Sequence, residues 1–532
     1  MKTLIVSVWG NPKNWEPVKY TVERKVDKEN IEFYQAKREY RSTLGALIET
    51  YDDAEVLLLA SSTIGTLSNG KRYSGVVEEA YNIIEGYLKN PEYCSERERV
   101  SLKILPGIGK FKDNNVEKRF KGRIDCFRVA SFICSYKKMI EAKPERVILD
   151  ISHGINYMPV YARTSVYLAL LGYIASINSK IEWLVYNSEP KERGVKELEL
   201  MLVEDLEIKP ETAIQSIYRE FETLSNVNFK LLKSFFGRQP PKYSSQWEQL
   251  NKETIRLVKT ARNGLIIPFI ETAQKLAETE TGPLENEIRK YSYLENCDDI
   301  VEISENELKY LYAPNILSAH IIAIVNSLKQ LKEMNIDTYD EGYSIKSLKD
   351  ISQKFVEEPA LAILNHELHQ MKERIELAEM AEIEFNKWEP YNTYVQIGEI
   401  RVEEKPLLAI YEENGNKLKE IIKKEKTLQK IFSTIVKEKM QAEKRIKSPE
   451  KRNFLAHAGL ERNITQIYIK EKTHIEEETY IKYDKQKREE IEKILENIEK
   501  KIKQQQPFIK AQKHPTKITS SKKHKLTKHL LQ

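Results

Sequence analysis

The stretch Arg146-Val147-Ile148-Leu149-Asp150-Ile151-Ser152-His153-Gly154-Ile155-Asn156-Tyr157-Met158-Pro159 passes from a short apolar run through a polar turn into a new helix-period segment. An apolar run of this length, rich in β-branched residues and closed by turn chemistry, predicts a buried strand. Similar runs occur at residues 3–8, 55–60, 101–105 and 181–186. Helix-period stretches such as SGVVEEAYNIIEGYLKN and VEKRFKGRIDCFRVASFICSYKKMIEA separate them. This alternation predicts a mostly parallel sheet covered by helices.

Open α/β sheets bind ligands outside the carboxyl ends of their strands, so the residues after each run are the candidates. They are Trp9-Gly10-Asn11-Pro12, Ser61-Ser62-Thr63, Pro106-Gly107-Ile108-Gly109, Ser152-His153-Gly154-Ile155-Asn156 and Asn187-Ser188. Each edge alone is ordinary turn chemistry. Together they line one end of the sheet with backbone amides, hydroxyls and amide side chains, which suits a polar, phosphate-bearing ligand. The expected contacts are Gly10, Asn11, Ser61, Ser62, Thr63, Ser152, His153, Gly154 and Asn156; His153 reads either as a ligand contact or as a turn histidine. The segment GIGK is neither a Walker A loop nor GxGxxG, which disfavours a hydrolysable nucleoside triphosphate or NAD.

The chain has 532 residues, 40% hydrophobic and 31% charged, enough for several domains. No uninterrupted apolar run approaches the roughly 20 residues of a membrane span, and the N-terminal run ends in a Gly-Asn-Pro turn, so the expectation is a cytoplasmic protein without a membrane partner. The 86 basic and 81 acidic residues nearly balance, so a net charge of +5 does not by itself imply nucleic acid. The tail from 506 to 532 is basic, with Lys510, Lys513, Lys517, Lys522, Lys523, Lys525 and Lys528; it reads as a phosphate-attracting arm or as a solvated flexible end. Cys94, Cys126, Cys134 and Cys297 show neither CxxC pairing nor metal spacing and read as inert thiols. From about residue 208 the period becomes helical, with joints at Pro240-Pro241 and Thr281-Gly282-Pro283. His366 and His369 in LNHELHQ share a helix face but lack a third ligand, so no metal is expected.

Near the C-terminus, SPEKRNFLAHAGLERN has Ser448 as a helix N-cap, Pro449 for the first position, Glu450 for the positive end and Gly459 for the C′ position. Arg452 and His457 bracket a Phe454-Leu455-Ala456 patch read as packing. Five residues rotate side chains by about 140° on a helix, at about 100° per residue, so the pair does not share one face. Either the arginine swings round or a second copy completes the site. RNA carries its own nucleophile, the 2′-hydroxyl, so cleavage needs positioning, a proton-handling group and a cation for the charged transition state. Histidine and arginine suit those roles. The following NITQIYIKEKTHIEEETYIKYD alternates like a hairpin and KREEIEKILENIEKKIK reads as a closing helix.

The Gly-Asn turn after the first run and the DISHGIN stretch resemble the CARF sensor domain (CRISPR-associated Rossmann fold) of type III CRISPR ancillary proteins. Ser152, His153, Gly154 and Asn156 match the family's D-x-[ST]-H-G-x-N residue by residue, whereas Asn11 and Ser61 to Thr63 match by position. R-N-x-x-x-H followed by A-G-L is similar to the R-x(4)-H signature of HEPN ribonucleases (higher eukaryotes and prokaryotes nucleotide-binding domain), carried by Arg452, Asn453 and His457. Alone it is a weak motif; the order of a CARF-like third, a helical middle and this motif gives it weight. The resemblance implies a homodimer or an assembly of dimers, in the archaeal Csx branch. A cyclic oligoadenylate would be its allosteric activator, taken as cyclic tetra-adenylate although the sequence does not distinguish it from the hexa-adenylate, no cofactor is implied, and single-stranded RNA would be cut without metal to 2′,3′-cyclic phosphate and 5′-OH ends.

The expected fold class is α/β plus α: a Rossmann-like parallel-sheet sensor over 1–207, a helical connector over 208–300, an α-helical HEPN domain with a short β-hairpin over 301–505, and the basic tail over 506–532. A nucleotide-sensing DNA-binding transcriptional regulator with the same sensor fold is the alternative, and a helical scaffold with a degenerate HEPN fold a third reading.

Overall fold

The computed structural model describes residues 1–27, 30–113, 116–192, 194–225, 232–234, 245–380, 387–395, 451–470 and 474–500. An eight-stranded sheet forms the first third: β1 (Thr3–Trp9), β2 (Lys19–Lys25), β3 (Ile31–Gln35), β4 (Glu55–Ser61), β5 (Val100–Leu105), β6 (Arg146–Asp150), β7 (Ile181–Ser188) and β8 (Glu197–Ile208). Their spatial order is β3-β2-β8-β7-β6-β1-β4-β5. The five expected runs are all strands, mutually parallel, with Ser7 beside Asp150 and Trp9 beside Ala60. Every residue of β1 is buried because helices cover both sheet faces, which is why this strand reads as a continuous apolar run.

Chain order reverses between β1 and β6, and the end of that junction is the sheet's topological switch point. The strands β2, β3 and β8 extend the sheet beyond what periodicity predicted; β8 runs antiparallel to β7, and β2 antiparallel to β3. Their charges conceal them. Lys25 is 8% exposed and meets Glu182 at 3.0 Å as well as Asp205, so a lysine lies inside a strand as part of an ion cluster.

The helix Tyr157–Ile177 has the length and composition of a membrane span, but 61% of its most apolar window is buried within the protein. It packs on Asp125–Ala142 and Ile316–Ser327 as a core helix. One contiguous apolar core runs from Leu4, Val6 and Leu149 of the sheet through Ile324 and Leu368 to Phe454, Ile467 and Leu495. Burial pushes the Cys94 and Cys134 thiols up to about 11 and the Cys126 and Cys297 thiols up to about 12, which fits unreactive cysteines.

The connector over 208–300 is not purely helical, since Leu232–Ser234 is a strand paired with Tyr312–Pro314, and a second sheet ties the chain just after it to the first third. Val301–Ile303 and Glu307–Tyr310 join Gly109–Asp113 and Val116–Lys121 in a four-stranded sheet, with Glu307 beside Arg119. The first third and the chain around residue 310 are thereby hydrogen-bonded together. Thr465–Ile469 and Thr479–Tyr483 form the expected antiparallel pair, but within a five-stranded sheet, followed by the helix Arg488–Lys500. The expected joint Pro240-Pro241, the helix-period stretch 417–447, the cap Ser448-Pro449-Glu450 and the basic tail lie outside the described residues.

Candidate functional site

At the sheet's carboxyl end, the buried Asp150 carboxylate accepts hydrogen bonds from the Ser7 and Thr43 hydroxyls, both at 2.8 Å, and from the Ser152 amide at 3.0 Å. The Ser152 hydroxyl in turn accepts from the Ser188 amide at 2.9 Å, tying β6 to β7. The His153 carbonyl accepts from the Gly10 amide at 2.7 Å across the switch point, so these two expected residues meet directly. The ring of His153 stacks on Trp15 at 4.2 Å, and its Nε2 accepts from the Thr43 amide at 3.1 Å. That donor requires a lone pair on Nε2, leaving a proton for Nδ1. Burial lowers the imidazole's proton affinity and outweighs the attraction of Asp150, so this ring is held neutral. Asn156 is exposed at the start of the next helix and makes no side-chain cap. Asn11 is exposed and its Oδ1 accepts from the Lys13 amide at 3.1 Å.

On the neighbouring edge Ser61 and Thr63 share a hydroxyl contact of 2.8 Å. Ser62 accepts from the Gly107 amide at 3.0 Å and lies 2.9 Å from the Tyr310 hydroxyl. Gly107 is required here, because a Cβ would run into the Ser61 hydroxyl and the Thr63 methyl. Ser61, Ser62 and Thr63 are all buried, so they shape this edge from below.

Arg452 and Asn453 lie on the helix Lys451–Ala456, and both are exposed. Phe454 is fully buried against Tyr483, Leu455 is half-buried and Ala456 is exposed, so the packing role belongs to the first two. Truncating such a buried phenylalanine costs about 3–5 kcal/mol, which measures how firmly it anchors the helix. The helix ends in a Schellman arrangement: the Gly459 amide reaches the Phe454 carbonyl at 2.8 Å and the Ala458 amide the Leu455 carbonyl at 3.3 Å. Ala458, with φ of 48°, therefore takes the C′ position expected for Gly459, which follows at φ of 79°. The six-to-one bond sets this register and puts His457 at the C-cap.

His457 has a side chain 48% exposed, and its Nδ1 lies 3.1 Å from Oε1 of Glu367, whose own side chain is 8% exposed. Arg452 makes no hydrogen bond to His457 and meets no partner among the described residues, consistent with the angular separation of the two positions. His366 faces Gln370 at 2.8 Å and His369 lies 3.9 Å from Glu373. Among the described residues no group of three or more His, Cys, Asp or Glu side chains is disposed to hold a metal.

Two family models match the chain. Residues 4–190 match the CARF domain, and residues 357–489 the HEPN domain, of the CRISPR system endoribonuclease Csx1. The Csx1 endoribonuclease of Methanocaldococcus jannaschii is 26% identical over 494 residues, covering 91% of this chain and 92% of the relative. The chain belongs to the CARF-HEPN endoribonucleases of type III CRISPR systems. A solved structure of Enterococcus italicus Csm6 bound to cyclic hexa-2'-fluoro-hexa-dAMP aligns over 83% of this chain and 98% of that one, at 10% identity and a TM-score of 0.21, too distant to support further argument.

The switch-point residues thus lie in the CARF match, and Arg452, His457 and Glu367 all lie in the HEPN match. An endoribonuclease displaces the transcriptional-regulator and degenerate-scaffold readings. Sequence reasoning missed Glu367, Thr43, Trp15 and Tyr310. Only Glu367 left a signal: it is a glutamate at the apolar spacing of Leu364, Leu368, Met371 and Ile375. The others act through contacts made by distant chain segments.

Proposed function

We propose that this CARF-HEPN protein cuts single-stranded RNA when cyclic tetra-adenylate occupies the crevice at its sheet's switch point. The carrying observation is His457: a half-exposed ring backed by a buried carboxylate, one helix turn from an exposed arginine and asparagine. His457 handles the proton, Arg452 holds the phosphate with its guanidinium fork, and Asn453 contributes a polar contact to the scissile nucleotide. The 2′-hydroxyl attacks the adjacent phosphorus and the 5′-oxygen leaves, giving 2′,3′-cyclic phosphate and 5′-OH ends. No metal is required in this scheme, because the substrate supplies the nucleophile and arginine the compensating charge.

The activator-binding residues in this reading are Gly10, Asn11, Ser61, Ser62, Thr63, Ser152, His153, Gly154 and Asn156. The domain division is a sensor over 1–207, a connector over 208–300, a nuclease over 301–505 and a tail over 506–532. Five residues separate Arg452 from His457, about 140° round a helix at about 100° per residue, so the working site takes complementary groups from a second copy across a two-fold axis, and the ring shifts that pairing by binding its active arrangement more tightly. RNA cleavage is measured with each ring size, with and without EDTA. Expected are cutting stimulated by cyclic tetra-adenylate, resistance to EDTA, and loss of cutting with retained ring binding in His457→Ala. Undiminished cutting by that variant would sink the proposal.

A further inference from the structure

We infer that Glu367 is a positioning residue of the nuclease site: it fixes the tautomer and aim of His457 and supports the imidazolium that forms when the ring takes a proton. This rests on reading His457 as the proton-handling group. Glu367 sits on the helix Ala360–Met380 in a stripe with Leu364, Leu368, Met371 and Ile375, all fully buried, and is itself 6% exposed. A carboxylate in such a stripe is unfavourable unless a partner supports it. Its hydrogen-bond partner among the described residues is His457, through Nδ1 at 3.1 Å. The other charged and titratable groups nearby are Tyr391, whose hydroxyl accepts from Arg374, and Glu461 beside His457.

An acceptor-only carboxylate requires a proton on Nδ1, so the neutral ring carries its lone pair on Nε2. The carboxylate lies at the floor and the ring is half-exposed, which leaves Nε2 as the nitrogen available to a bound strand. As the bond from O2′ to phosphorus forms, the 2′-hydroxyl proton passes to Nε2; as the bond from phosphorus to O5′ breaks, the ring returns a proton to that oxygen. Between those events the ring is a cation beside Glu367. The arrangement is that of a carboxylate holding the histidine of a hydrolytic triad, where replacing the acid by its amide lowers turnover about 10⁴-fold. A half-exposed ring gains less from its carboxylate, and a loss of about 10²-fold is expected here.

The full-length protein is compared with Glu367→Gln, His457→Ala and the double variant. Glu367→Gln should lower kcat on single-stranded RNA about 10²-fold, leave KM and cyclic tetra-adenylate affinity within about twofold, and leave the melting temperature unlowered. The double variant should cut no more slowly than His457→Ala, because Glu367 acts only through that ring, and Glu367→Asp should recover part of the rate. A Glu367→Gln protein within twofold of the parent kcat, beside an inactive His457→Ala, overturns the positioning role and leaves the ribonuclease reading intact. Loss of melting temperature or activator affinity together with rate assigns Glu367 a structural role and equally overturns it. Full activity of His457→Ala overturns the underlying reading instead.

Discussion

Replacing Asp150 with alanine should destabilise the protein by about 3–5 kcal/mol and weaken activator binding. Asp150 is fully buried and receives the Ser7 and Thr43 hydroxyls and the Ser152 amide. Hydrogen bonds to a charged acceptor contribute about 1.5–3 kcal/mol each, so three sum to roughly 4.5–9 kcal/mol. Hydroxyls that rotate toward other acceptors, and water entering the vacated space, bring the net below that sum. Asp150→Asn keeps the volume and one oxygen, and should lose about half as much. Urea unfolding of the full chain followed by tryptophan fluorescence measures both, since Trp9 and Trp183 lie in the buried sheet. Asp150 holds Thr43 by its hydroxyl, and the Thr43 amide donates to His153 Nε2, so under conditions where the variant stays folded its affinity for cyclic tetra-adenylate should fall at least about tenfold, or about 1.4 kcal/mol. An alanine variant within about 1 kcal/mol of the parent would refute the account of the switch point as an organised carboxylate cluster.

Tyr310→Phe removes the hydroxyl that meets Ser62 at 2.9 Å and links the sensor edge to the strand Glu307–Tyr310. It should leave basal RNA cleavage unchanged and reduce stimulation by cyclic tetra-adenylate several-fold; equal stimulation in a cleavage assay would count against that link. Glu461 is buried, and burial raises its carboxyl above the ordinary value of 4.5. The folded state therefore binds this proton more tightly than the unfolded chain, and its contribution to stability falls as pH rises through 4.5 towards the raised value. Glu461→Gln should accordingly raise the melting temperature at pH 8 but not at pH 4, and an equal change at both would remove the argument.

The parallel strands β1, β4, β6 and β7 are legible as sequence because helices bury both of their faces, so alternation gives way to continuous apolar runs such as Leu57 to Ala60. The strands β2, β3 and β8 carry charge that only cross-strand pairing makes tolerable, and Lys25 between Glu182 and Asp205 is invisible to any local pattern. The helix carrying Arg452 and His457 is recognisable from its motif. Its C-cap is one residue off the expected place, because Ala458 adopts the left-handed conformation ahead of Gly459.

Local chemistry was enough to expect the parallel α/β sheet with its polar strand ends and to single out Arg452 and His457 as candidates for RNA chemistry, because periodicity, turn residues and proton affinity are properties of short segments. The pairing of His457 with Glu367 across 90 residues, of His153 with Thr43 across 110 and of Ser62 with Tyr310 across 248 required the folded chain. A buried polar group is stable only beside a specific partner, and which distant segment supplies that partner is set by how the helices and sheets close around their shared core.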